Sequence, residues 1–249
     1  MPTSLSSPTI PADGMTLSCP PVREMLEALV GIDTTSSGSN LAAVDLVESW
    51  LESAPRVRLQ RIYDASGQKA NLIAWAGPEV DATRDGLIMS GHLDCVPAEA
   101  HEWTSDPFTV REQSGRLYGR GVCDMKGFDA IAINAFAQIA PRATRPLVLM
   151  LSYDEEVGSH GIARMAEQLD PSVLPKEALI GEPTSGQMVT LHKGHLRFTL
   201  NSRGKNAHTA FPQDGLNAIE PLAEAAVRLA DLRRTFEQEG GPNADRFPE

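Results

Sequence analysis

Apolar residues recur at helical spacing in two early stretches, 21–30 and 40–51, the second following a polar turn, TTSSGSN, rich in capping residues. Both are expected as surface helices. Short extended runs follow at 57–63, 71–76 and 87–90, and a polar loop over 96–108 contains two prolines and Trp103. The pattern then turns helical over 125–140, becomes a buried-type strand over 146–153, and is helical again over 162–169. Alternation of this kind predicts an α/β sheet with helices on both faces, a class that binds ligands at its strand ends. After Glu182 the texture changes. Two strands, 188–191 and 196–202, joined through HKGH, a loop with His208 and a long helix over 217–236 are expected to form a second domain. The boundaries read as an extension over 1–20, a first domain over 21–187 and a second over 188–249, with a loop-like tail.

Four segments in this pattern carry chemistry: SGHLD at 90–94, GVCDMKG at 121–127, DEE at 154–156 and GEP at 181–183. Each lies beside glycine or at the end of an apolar run, where a strand hands over to a loop. Together they supply one imidazole and six carboxylates, nearly the donors of a two-metal hydrolase centre. His92 and Asp94, two apart, share a side of an extended chain, so the imidazole can bind a metal while the carboxylate orients its ring. A hydrogen-bonded buried histidine is the alternative. Asp124 can offer its oxygens to two ions or cap the helix that follows. Asp154, Glu155 and Glu156 repel one another unless a cation or proton intervenes. On extended chain Glu155 and Glu156 point opposite ways, one suited to carrying a proton and the other to ligation, with a solvated loop as the bland reading. Glu182 is either a ligand or an exposed turn acid. His101 and His160 read as solvated and His192 and His195 as structural, whereas His208 in GKNAHTAF can polarise a carbonyl oxygen.

The chain has 249 residues, enough for one large or two small domains. Its 22 basic and 33 acidic residues give a net charge of −11, which disfavours nucleic acid and anionic membrane surfaces and favours cations. Cys19, Cys95 and Cys123 form no CxxC pair, so reduced thiols in a cytoplasmic protein are expected and a zinc finger is not. No apolar run approaches the roughly 20 residues of a membrane span. The first twenty residues lack a basic start and an apolar core, so they read as a flexible extension and not a signal peptide.

These residues resemble the M20 family of metal-dependent peptidases and deacylases, and within it the acetylornithine deacetylase branch. The likeness runs from about Met25 to Phe236 through ALVGIDTTSSGSNL, KANLIAW, MSGHLDCVP, WTSDPF, RLYGRGVCDMKGF, DEE, IGEPTSGQ, HKGH and GKNAHTA. It implies a zinc-exopeptidase-like mixed sheet flanked by helices, as catalytic domain, and an incomplete α+β lid or dimerisation domain. It also implies that His92 and Glu182 bind one zinc, Asp124 bridges, Glu156 binds a second, Glu155 is the general base and Asp94 orients His92. His208 would reach a neighbouring subunit's site in a homodimer, and the Asp124–Met125 peptide would be cis. The implied reaction removes the acetyl group of N2-acetyl-L-ornithine, in arginine biosynthesis, with two Zn2+ or Co2+. A desuccinylase of succinyl-diaminopimelate or an aminoacylase is the alternative on the same fold. The family's second zinc takes a further histidine from a later segment, and none follows His208. The chain therefore reads as an N-terminal portion that holds one ion or fewer, or as a non-catalytic remnant.

Overall fold

The computed structural model describes residues 19–52 and 54–240; the expected extension falls almost wholly outside them, as does most of the tail. Helices α1 (Val22–Val30) and α2 (Leu41–Leu51) form where the pattern places them. Each buries one stripe, Met25, Leu26, Leu29 and Val30 on α1 and Ala43, Val44, Val47 and Leu51 on α2. Full burial of an aliphatic side chain of this size contributes about 1.5–3 kcal/mol. The start of α2 is secured differently from the expected cap. Ser39 Oγ accepts from the Leu41 N–H, while the Asn40 amide crosses to Ala70, accepting from its N–H at 2.9 Å and donating to its carbonyl at 2.8 Å.

Strands β1 (Arg58–Tyr63), β2 (Ala70–Ala76) and β3 (Leu87–His92) precede a small hairpin, β4 (Arg111–Gln113) with β5 (Arg116–Tyr118). Then come α3 (Gly127–Ile139), β6 (Leu147–Ser152), α4 (His160–Gln168) and β7 (Glu177–Ile180). The sheet runs β1-β2-β6-β3-β7, antiparallel up to β6 and parallel from β6 through β3 to β7. Alternate residues of its central strands face opposite layers. Leu72, Ala74, Leu149 and Leu151 join the core beneath α1, α2 and α3, and Ile73, Val148 and Met150 pack with Ile62 and Met165 of α4. β7 is different, exposed along its length, with Leu179 at 51% and Ile180 at 61%.

α3 begins two residues later than its apolar pattern suggests, because Asp124 and Met125 hold non-helical backbone angles. The Asp124–Met125 peptide is cis, as the family resemblance implies. Contacts divide the chain between Gly186 and Gln187 into two units. In the second, the strands expected over 188–191 and 196–202 do not form. A strand exists only through the ladder it makes with a partner, and the one bridge there among the described residues joins Lys205 to Leu216. The expected helix is present as α5 (Ile219–Glu239). Among the described residues no helix is long and apolar enough to cross a membrane.

Candidate metal centre

Parallel pairing of β3 with both neighbours brings three chain segments out at one edge of the sheet. His92 is paired with Ser152, so the residues after β6 emerge beside Leu93 and Asp94. On the other side Ser90 is paired with Ile180, and carrying that register two residues further sets Glu182 opposite His92. The Gly181 N–H donates to the Ser90 carbonyl at 3.2 Å and keeps the alignment beyond the strand's end. Asp124 arrives from the turn before α3, which Gly121 opens with φ +77°, in the left-handed region that glycine tolerates.

His92 is the buried centre of this group, 1% exposed. Its Nε2 lies 3.0 Å from Asp124 Oδ1 and 4.0 Å from Glu182 Oε1. One donor atom from each of His92, Asp124 and Glu182 lies within 4.8 Å of the others, a separation one cation can span. An imidazole nitrogen with two carboxylate oxygens is a donor set that suits zinc and related divalent ions. Asp124 does not cap α3; Lys126 holds that position and no side chain caps the helix.

Asp94 does more than face the imidazole. His92 Nδ1 is 3.0 Å from the Asp94 main-chain carbonyl and 3.4 Å from its carboxylate, so the carbonyl is the closer partner. The carboxylate is already engaged, accepting from Ser36 Oγ at 2.6 Å, from the Glu155 N–H at 3.0 Å and from the Glu156 N–H at 3.3 Å. One buried carboxylate thus fixes the turn that carries both glutamates. That turn replaces the extended alternation expected for 154–156, since Asp154 adopts a positive φ of 55°. Lys69 Nζ holds it from behind, donating to Asp154 Oδ1 and to the Ser36 carbonyl, each at 2.5 Å. Glu156 lies outside the three-donor cluster; with Asp124, Cys123 and Arg120 it lines an adjoining cavity of about 210 Å³.

The electrostatics favour a cation. Burial, then the charge of Asp124, raises the Glu156 carboxyl above its ordinary value, and burial with Asp124 and Glu155 likewise raises Glu182 despite the opposing pull of His92. For Asp94 burial acts upward, but His92, Ser36 and the Glu155 N–H together hold it below the usual carboxylate range. Four residues that spacing alone did not single out matter here: Ser36, Lys69, Lys126 and Asp129. Asp129 of α3 is fully buried against Gly91, and neither of its oxygens has a hydrogen-bond partner among the described residues. His208 belongs to the second unit, where its Nδ1 accepts from the Ala210 N–H at 3.1 Å. His192 is also there and exposed, and His101 and His160 are exposed in the first unit.

A mixed α/β sheet that gathers an imidazole and carboxylates at its strand ends is an architecture of metal-dependent hydrolases. The chain belongs to Peptidase family M20/M25/M40, whose description matches residues 88–244. An acetylornithine deacetylase of Proteus mirabilis is 38% identical over 203 residues, covering 81% of this chain and 51% of the relative. That of Yersinia pseudotuberculosis is 35% identical over 233 residues, covering 90% and 59%. The chain therefore spans about half the length of these curated relatives. Among solved structures, a tripeptidase from Staphylococcus aureus aligns with a TM-score of 0.52 at 17% identity, over 83% of this chain and 55% of that one. An M20 family metallo-carboxypeptidase from Sulfolobus solfataricus aligns with 0.52 at 20% identity, over 64% and 37%. At such identities the likeness concerns the fold.

Proposed function

We propose that this chain carries the metal-binding part of a cytoplasmic amidohydrolase that removes the acetyl group from N2-acetyl-L-ornithine, releasing acetate and ornithine in arginine biosynthesis. The observation that supports it most is the meeting of His92, Asp124 and Glu182 next to the turn that Asp94 holds in place. The substrate assignment draws on relatives named acetylornithine deacetylase at 35–38% identity. His92, Asp124 and Glu182 would hold one divalent ion, zinc or cobalt, with Asp124 shared toward a second that Glu156 would bind. When bound, such an ion polarises the amide carbonyl and makes a water molecule more acidic. Glu155 then takes the proton of the attacking water on its carboxylate and delivers it to the departing amine nitrogen. His208, reaching the site of a neighbouring subunit in a homodimer, donates a hydrogen bond to the carbonyl oxygen as negative charge develops there. The partner of the site is a small N-acyl amino acid, in keeping with a net charge of −11 that disfavours nucleic acid.

The test is release of free amine from N2-acetyl-L-ornithine by the zinc- or cobalt-loaded protein, beside N-succinyl-diaminopimelate and other N-acyl amino acids. Cleavage of another acyl amino acid but not acetyl-ornithine would overturn the substrate and keep the chemistry. Glu155→Gln is expected to abolish turnover with metal content near the parent's. Loss of metal in that variant would make Glu155 a ligand instead.

A further inference from the structure

We propose that Phe128 is a positioning residue for Glu182: its ring, seated on Gly181, sets where the adjacent carboxylate lies relative to His92 and Asp124. The proposal rests on the reading of Glu182 as a metal ligand. A Cβ added to Gly181 would stand 1.9, 2.1 and 2.3 Å from Cγ, Cδ1 and Cδ2 of the ring, so the aromatic face occupies the space any other residue would need. On the backbone side, the Gly181 N–H is bonded to the Ser90 carbonyl of β3. Gly181 is therefore fixed by two neighbours, one polar and one apolar. Its successor has little else to hold it. Among the described residues no N–H or hydroxyl donates to the Glu182 carboxylate, and its one ionic partner is His92 at 4.0 Å. The contrast is with Glu155 and Glu156, whose turn is anchored by two N–H donations to Asp94. Phe128 also stands four residues after Asp124, on the first turn of α3. A single stretch of chain thus supplies one carboxylate of the cluster and the ring that places another.

A complementary pair of substitutions tests this through zinc binding, measured by competition with a chromophoric chelator on the whole chain. Gly181→Ala drives a methyl group into the ring and is expected to weaken zinc binding about tenfold or more, by displacing one ligand of three. Phe128→Ala, which removes the atoms seated on Gly181 and leaves slack behind it, is expected to weaken it several-fold. Combining Gly181→Ala with Phe128→Ala, which removes the Cγ, Cδ1 and Cδ2 atoms in the way, gives the methyl group room and is expected to recover affinity to within about threefold of the parent. A defect that reflected general damage would worsen on combination, not recover. The proposal is overturned if Gly181→Ala binds zinc as the parent does, or if the double variant binds no better than Gly181→Ala. Should Gly181→Ala not fold, Phe128→Ala alone decides, and an affinity equal to the parent's overturns it. Glu182→Gln separates the two layers of argument. If that variant binds zinc unchanged, the ligand reading fails; if it binds weakly while Gly181→Ala does not, only the positioning role fails.

Discussion

Burial would ordinarily strip the proton from His92, yet the hydrogen bond and charge of Asp94, with Asp129 and Asp124 adding to them, outweigh it and push the pKa up to about 10. An ion that takes this nitrogen must displace the proton. Below pH 10 the apparent zinc affinity is therefore expected to rise about tenfold per pH unit, with one proton released for each ion from this residue. Competition titrations at pH 6, 7 and 8 check the slope, and a flat profile would remove His92 from the ligand set. Asp129 presents the opposite imbalance. Burial raises its carboxyl well above 3.8, against the pull of His92 and Lys126 and with the push of Glu182 and Asp94. The folded chain then binds more protons than the unfolded one, so this group's contribution to stability is intact below its unfolded pKa and declines as pH rises beyond it. Asp129→Asn has no such titration, and its Tm relative to the parent is expected to climb between pH 5 and pH 8. An unchanging difference would show that Asp129 ionises freely in the fold. His92, Asp94, Asp124, Glu155, Glu156 and Glu182 were legible because each stands at a glycine or at the end of an apolar run. Ser36 and Lys69 were not, since Ser36 meets Asp94 across 58 positions and Lys69 meets Asp154 across 85, distances no local pattern encodes.

Between elements, one polar tie is made by a lysine inside the core. Lys126, with no exposed surface, sends its ammonium to the carbonyls of Leu29 and Ile32, 2.9 Å each, and so joins the start of α3 to the end of α1. Leu29 lies in the last turn of α1, where its carbonyl also accepts from the Ile32 N–H at 3.3 Å, and Ile32 lies just past the helix, where a cation complements the negative end of the helix dipole. Burial lowers the pKa of the amine, a cost partly offset by the surrounding anionic groups. Lys126→Met keeps the apolar stem and removes both bonds, and a loss of about 2 kcal/mol is expected from the two charge-assisted hydrogen bonds it forfeits. Urea denaturation reads this directly; an unchanged midpoint would mean that water replaces the ammonium. The same scale explains what the sequence pattern missed. α1, α2, β2, β3 and β6 announce themselves through buried stripes or runs, but β7 has four residues and no buried face. β4 and β5 have three residues each, and their trace was the Ser114–Gly115 pair, both at positive φ in the turn that joins them. The alternation of Leu196, Phe198 and Leu200 is strand-like, yet these side chains stay exposed because alternation specifies a face and not a partner.

At the scale of the whole molecule, every group assembled at the candidate centre comes from the first unit: His92, Asp94, Asp124, Glu155, Glu156 and Glu182 all precede Gly186. The two layers of core that support them also lie there, from Met25 on α1 to Met165 on α4. Zinc binding by the cluster is therefore expected to be a property of the first unit alone. The chain after it offers a way to ask. Between 187 and 204 the backbone forms neither helix nor strand, and Lys193, Arg197 and Arg203 lie in that stretch. Proteases need extended chain that no ladder or helix withholds. Brief trypsin treatment is thus expected to cut first at these three residues, leaving a core through Lys193 or Arg197 that mass spectrometry identifies. That core is expected to bind zinc within about threefold of the parent's affinity, because its ligands and the packing that holds them are all retained. Early cuts inside 58–152 would mean that the sheet opens as readily as the linker. A core that survives digestion but no longer binds zinc would mean that a donor from the second unit completes the cluster.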